Sequence, residues 1–237
     1  MDNRGKRIAF NIIGSILTVV LIALFFMSII NIVFNFVYIK TNVYGYSMCN
    51  TLNQKAETIS QKGDTVFINK YAPVTRGDIV VANVSWNNKP IIKRLVAMPN
   101  DSLFITEEND NYVLMVNNSP VYTRPIVDEY LHENDGGTIE YYATKYSIYI
   151  SNNENVYLDE EKTMPRIITN ENGKKMIKLY DNEYFFIGDN WASSDDSMVF
   201  GPSPLSSIVG RVDIVIPINA NPVGHMLKAM LKATFCV

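Results

Sequence analysis

Two residues in this chain have types and surroundings suited to one reaction. Ser47 lies in Val43-Tyr44-Gly45-Tyr46-Ser47-Met48-Cys49-Asn50-Thr51-Leu52, and Lys93 lies in Ile91-Ile92-Lys93-Arg94-Leu95-Val96. A serine hydroxyl is a poor nucleophile until a base removes its proton. Lysine can be that base only when neutral, and an unperturbed lysine, with a pKa of ~10.4, is neutral in roughly one molecule per thousand at about pH 7.4. The apolar neighbours Ile91, Ile92, Leu95 and Val96 would disfavour the ammonium by desolvation. On a strand Lys93 would share its face with Ile91 and Leu95. The plainer reading of Lys93 is a surface residue on an edge strand. Cys49 is a second nucleophile type beside Ser47, but no histidine lies in a neighbouring motif to activate it.

The first element that must position this pair is an anchor. Residues 8–39 contain no Asp, Glu, Lys or Arg. About 20 helical residues rising ~1.5 Å each cross a hydrocarbon core of ~30 Å, so the run can span with a tilt or project a short stalk. A cleavable signal peptide has an apolar region of roughly 7–15 residues followed by a small-residue cleavage site. This run is longer, and no small-x-small pattern follows it before Lys40. It therefore reads as an uncleaved, single-pass anchor in a cell membrane. The basic flank Asn3-Arg4-Gly5-Lys6-Arg7 assigns residues 1–7 to the cytoplasm, with the body from about Thr41 outside.

The second element is a mostly β body. Short runs such as Thr65-Val66-Phe67-Ile68, Ile79-Val80-Val81-Ala82, Ile91 to Met98, Tyr112 to Val116, Tyr184 to Ile187 and Arg211 to Ile216 are bounded by Gly, Pro, Asn and Asp, which is a strand signature. Residues 40–128 and 181–222 are expected to form a catalytic β domain, and the polar segment 129–180 a smaller inserted β lobe. The tail 223–237 has apolar residues at helical spacing and reads as a helix packed on the body, or as one lying on a membrane surface. The net charge of −3 argues against a nucleic-acid surface. The two histidines, His132 and His225, stand in no metal-ligand motif, so no metal is expected. Cys49 and Cys236 make no disulfide framework.

Three segments carry a family resemblance. Ser47-Met48-Cys49-Asn50-Thr51-Leu52 resembles the nucleophile box of type I signal peptidases, Ser-Met-x-Pro-Thr-Leu. Lys93-Arg94-Leu95-Val96-Ala97-Met98-Pro99-Asn100-Asp101 resembles their lysine box, Lys-Arg-x-x-Gly-x-Pro-Gly-Asp. Gly188-Asp189-Asn190-Trp191-Ala192-Ser193-Ser194-Asp195-Asp196-Ser197-Met198 resembles the third, Gly-Asp-Asn-x-x-x-Ser-x-Asp-Ser-Arg. Arg76-Gly77-Asp78-Ile79-Val80 matches a further strand box. The boxes stand in the family's order behind the family's anchor.

The resemblance implies a membrane-anchored serine endopeptidase that uses no cofactor and cuts exported preproteins after small-x-small sites through an acyl-enzyme. It makes Ser47 the nucleophile, Lys93 the base and Ser194 the hydroxyl that orients Lys93. It pairs Asp189 with Arg94 as scaffold. The Ser47 backbone N–H would hold the oxyanion, with Gly45 at the position where some relatives have a second donor. Met48 and Ile92, beside the catalytic pair, are candidate pocket walls. Where the family has an arginine this chain has Met198, so Asp196 needs another partner, such as a backbone N–H. Asn50, Ala97 and Asn100 also depart from the boxes, although Asn tolerates the positive φ that the last position needs. These departures keep open an assembly factor or dedicated peptidase for surface-fibre (pilus) biogenesis, whose partners would be pilus-assembly or secretion-channel proteins. A self-cleaving Ser/Lys repressor would be soluble, which the anchor opposes.

Overall fold

The computed structural model describes residues 3–49, 51–55, 62–109, 111–125, 167–169, 175–190, 193–221 and 224. The tail 223–237 apart from Gly224, and most of segment 129–180, lie outside the described residues. The chain divides into two units, residues 1–39 and 40–237.

The first unit is the helix α1 (Asn3–Val37). Its polar residues bond inside the helix: Ser15 Oγ donates to Asn11 C=O, Thr18 Oγ1 to Gly14 C=O and Asn35 Nδ2 to Asn31 C=O. Such bonds to the preceding turn let short polar side chains sit in an apolar helix without unsatisfied groups. The stretch Phe10–Val37, of mean hydropathy 2.8, is long and apolar enough to cross a membrane.

The remainder is mostly β. In chain order the strands are β1 (Tyr38–Asn42), β2 (Thr65–Asn69), β3 (Ile79–Ala82), β4 (Ile91–Ala97), β5 (Ser102–Glu108), β6 (Asn111–Val116), β7 (Ser119–Pro125), β8 (Ile167–Thr169), β9 (Lys175–Lys178), β10 (Glu183–Ile187), β11 (Ser203–Pro204) and β12 (Ile208–Ile216). A short helix α2 (Ser197–Phe200) follows β10, and a 3-10 turn (Leu205–Ser207) precedes β12. Seven strands make one sheet in the order β1-β2-β12-β3-β4-β10-β11, and five make a second in the order β7-β6-β5-β9-β8.

Burial follows sequence pattern. Val80, Ala82, Val84, Ile91, Leu95, Tyr184 and Phe186 form one core cluster, and Val43, Met48, Leu52, Val66, Ile68 and Val81 another. Fully burying such a side chain stabilises by about 1.5–3 kcal/mol, so the strands around Lys93 lie among the better-anchored parts of the body.

The second sheet starts directly after β4. Its first three strands come from Ser102–Pro125, inside the range assigned above to the catalytic domain. The cause is local turn chemistry. Asn117 and Asn118 take φ of +51° and +61°, which suits the two-residue primed turn favoured in hairpins. That turn folds β7 back on β6, with Val116 opposite Ser119. Asp101 ties this sheet to the end of β4: its carboxylate accepts from Met98 N–H at 2.7 Å, Asn117 Nδ2 at 2.7 Å and Arg76 Nη2 at 2.7 Å. Asn100, which stands where the resembled box has glycine, holds φ +66° at the same turn. Ala97 is fully buried opposite Phe185.

Candidate active site

Strand β4 carries Lys93. Side chains alternate along β4, so Ile91 and Leu95 flank Lys93 on its own face, and Val80 of β3 is its cross-strand partner. All three neighbours are core residues, and Lys93 is only 5% exposed. It is not an exposed lysine on an outer strand, because β4 lies between β3 and β10.

Ser47 sits on the loop between β1 and β2. At the base of that loop Val43 N–H donates to Asp64 C=O at 2.8 Å, and Gly63 N–H to Val43 C=O at 3.0 Å. Asn53, at φ +59°, exchanges hydrogen bonds with Asp64: Asn53 N–H donates to Asp64 Oδ2 at 2.9 Å, and Asp64 N–H to Asn53 Oδ1 at 2.8 Å. Asn53 Nδ2 also donates to Gly45 C=O at 3.1 Å. Met48 and Leu52 are one helical turn apart, joined by Leu52 N–H to Met48 C=O at 2.6 Å, and both enter the core. Ser47, directly before Met48, is half-buried.

Strand β10 brings the third segment to the other two. Ile187 pairs with Arg94, so Gly188 and Asp189 leave the sheet beside β4. Arg94 grips Asp189 with both arms of its guanidinium, Nε to Oδ1 at 2.7 Å and Nη2 to Oδ2 at 2.6 Å. Arg94 Nη1 reaches Gly77 C=O at 2.6 Å. Thr51 Oγ1 donates to Asp189 Oδ2, and Arg94 Nη2 reaches Thr51 Oγ1 at 3.3 Å. The Ser47 loop, the Lys93 strand and the third segment thus meet at one carboxylate.

A second junction holds Ser194. The buried Asp196 accepts at Oδ2 from Gly188 N–H at 3.0 Å and from Ser194 Oγ at 2.5 Å, and at Oδ1 from Met198 N–H at 3.0 Å. It is the N-cap of α2, a position where a carboxylate satisfies otherwise orphaned helix donors. Met198 stands where the family has arginine. It is buried, and backbone and hydroxyl donors serve Asp196 instead. A Cβ on Gly188 would stand 2.3 Å from Ser194 Oγ and 2.4 Å from Ser47 C=O. Asn190 N–H also donates to Ser47 C=O at 3.0 Å.

Ser47 and Lys93 line one cleft of about 480 Å³. Ile92 lines it too, with Val43, Val66 and Val81. Met48 is not among its lining residues: its side chain packs in the core and its sulfur accepts from Asp189 N–H at 3.5 Å. Gly45 takes φ +82°. Sequence reasoning gave no role to Thr51, Asn53, Gly188 or Asn190. Thr51, Gly188 and Asn190 stood inside the quoted boxes, which was their one signal, while Asn53 carried none.

Residues 12–217 match the family described as Signal peptidase, peptidase S26. Two proteins named signal peptidase I, from Streptococcus pneumoniae strains TIGR4 and R6, are 27% and 26% identical over 179 residues, covering 74% of this chain and 80% of each relative. A crystal structure of a signal peptidase I from Enterococcus faecalis V583 matches 59% of this chain and 97% of its own, at 20% identity and a TM-score of 0.32. With the match running over most of its length, the chain belongs to the signal peptidase family, peptidase S26.

Proposed function

We propose that this chain is a membrane-anchored serine endopeptidase that removes signal peptides from exported preproteins by a Ser47/Lys93 acyl-enzyme mechanism. One observation carries the reading: a half-buried serine and a lysine only 5% exposed line the same cleft in a chain of this family. Lys93 is buried among Val80, Ile91 and Leu95, and such surroundings disfavour a charged ammonium relative to the neutral amine that a base must be.

In the first step Ser47 Oγ attacks the scissile carbonyl carbon and its proton passes to Lys93 Nζ. The carbonyl oxygen takes up the charge, and the Ser47 backbone N–H stabilises it. Collapse breaks the C–N bond, and the Lys93 ammonium returns its proton to the leaving amine. Water then attacks the ester carbonyl carbon, losing a proton to Lys93; collapse breaks the C–O bond to Ser47, Lys93 returns that proton to Ser47 Oγ, and the acid product ionises on release. Ser194 commits its hydroxyl proton to Asp196, which leaves its oxygen lone pairs available to accept from the lysine ammonium. The apolar cleft residues Val66, Val81 and Ile92 suit small side chains, and they would reject larger ones by clash. Residues 1–7 lie in the cytoplasm, α1 spans the bilayer, and the cleft faces exported chains on the far side.

Purified protein in detergent should cleave a preprotein after a small-x-small site. Ser47→Ala and Lys93→Ala should each lower kcat/KM by roughly 10³-fold or more. Undiminished cleavage by both variants would overturn the mechanism.

A further inference from the structure

The cleft that holds Ser47 and Lys93 has two chemically different parts. Its apolar side is made by buried residues, including Val43, Val66, Val81 and Ile91. Its other side is exposed and polar, formed by Tyr44, Asn87, Lys89 and Pro90. Among the described residues, two lysines and no Asp or Glu line the cleft, although the whole chain carries a net charge of −3. Among the described residues Lys89 makes no ion pair.

The segment that presents Lys89 is held in place. Val84 is buried in the core. Trp86 stacks on Phe200 of α2, with ring centroids 4.6 Å apart and planes within 12°. Asn87 N–H donates to Val84 C=O at 3.3 Å, and Asn87 Oδ1 accepts from Lys89 N–H at 3.1 Å. Pro90 then leads into β4. The ammonium therefore extends from a fixed backbone, within a cleft whose low-dielectric walls strengthen its field.

From this we infer that Lys89 is a specificity-determining residue, favouring peptide substrates that carry a carboxylate side chain close to the scissile bond. The inference rests on the hydrolase reading for where the bond lies, and it adds a charge preference to the small-side-chain preference. A peptide is favoured over a lipid headgroup as the anion's source because Lys89 shares its cleft with Ser47 and Lys93.

The test is a series of peptides with one Asp moved through successive positions, each against its Asn isostere. Wild-type protein should favour Asp by roughly two- to five-fold in kcat/KM at one or two adjacent positions, fading at high salt. Lys89→Ala should flatten the profile, and Lys89→Glu should invert it so that Asn is favoured over Asp at those positions. Peptide binding to Ser47→Ala, read by fluorescence anisotropy, should show the same profile without turnover. That profile together with no cleavage by wild-type protein would sink the hydrolase reading and leave the charge preference standing. A flat binding profile, or one unchanged in Lys89→Ala, overturns the proposal. So does a flat profile in which Lys89→Ala loses only affinity for phosphatidylglycerol vesicles.

Discussion

Ser47 and Lys93 face one cleft but are held by different physics. Lys93 is placed by a regular sheet: β4 is paired on both sides, and its neighbours are buried apolar side chains. Ser47 is placed by an irregular loop that Met48 and Leu52 anchor in the core and that polar contacts tie to Asp64, Asp189 and Asn190. The contrast teaches that stability and reactivity are separable here. Sheet contacts are numerous and non-directional, so damage to them should appear first in the folding equilibrium. Loop contacts are few and directional, so damage to them should appear first in turnover.

The largest expected effect lies on the sheet side. Leu95→Ala would leave a cavity beside Lys93 and should cost about 2–5 kcal/mol of stability, read by denaturant unfolding, with kcat changed far less at a temperature where the variant is folded. A collapse of kcat with stability unchanged would break the comparison. On the loop side, Gly188→Ala would push a methyl against Ser194 and the Ser47 carbonyl. A displacement near 1 Å can cost ~10²-fold in rate, so kcat should fall by about that much while KM moves little. Near-normal kcat in the folded variant would show that the Gly188 contact does not set the geometry. The smallest effect is Thr51→Val, which removes one donor to Asp189 while the Arg94 pair stays. A kcat loss of about tenfold, equivalent to ~1.4 kcal/mol, should be restored by Thr51→Ser. Equal loss in both variants would assign Thr51 a packing role instead.

The strands with strong β composition were legible. Ile79-Val80-Val81-Ala82 and Tyr184 to Ile187 fall on β3 and β10, because β-branched and aromatic residues bounded by turn formers leave few alternatives. Strand β1 was read as the end of the apolar anchor run, since Tyr38 and Ile39 continue that run without a break. Strand β5 was overlooked because Ser102-Leu103-Phe104-Ile105-Thr106-Glu107-Glu108 mixes polar ends with a short apolar centre. Within the site, the pairing of Arg94 with Asp189 came from the family resemblance, and the sheet explains it through the Ile187–Arg94 register. The fate of Asp196 was open. A carboxylate without its arginine could take any donor, and the choice fell on groups that α2 and Gly188 present.

By itself the sequence determined what depends on neighbours along the chain. It set the charge-free run that forms α1, the apolar flanks of Lys93, and the asparagine that accepts positive φ at residue 100. Tertiary structure alone decided what depends on residues far apart. Thr51 meets Asp189 across 138 positions, Met48 turns into the core, and Lys89 arrives at the cleft that Ser47 lines. The physical reason is that hydrogen bonds and burial act over a few ångströms. The pairing of β4 with β3 and β10, together with the return of the Ser47 loop to β2, fixes which distant residues come within that range.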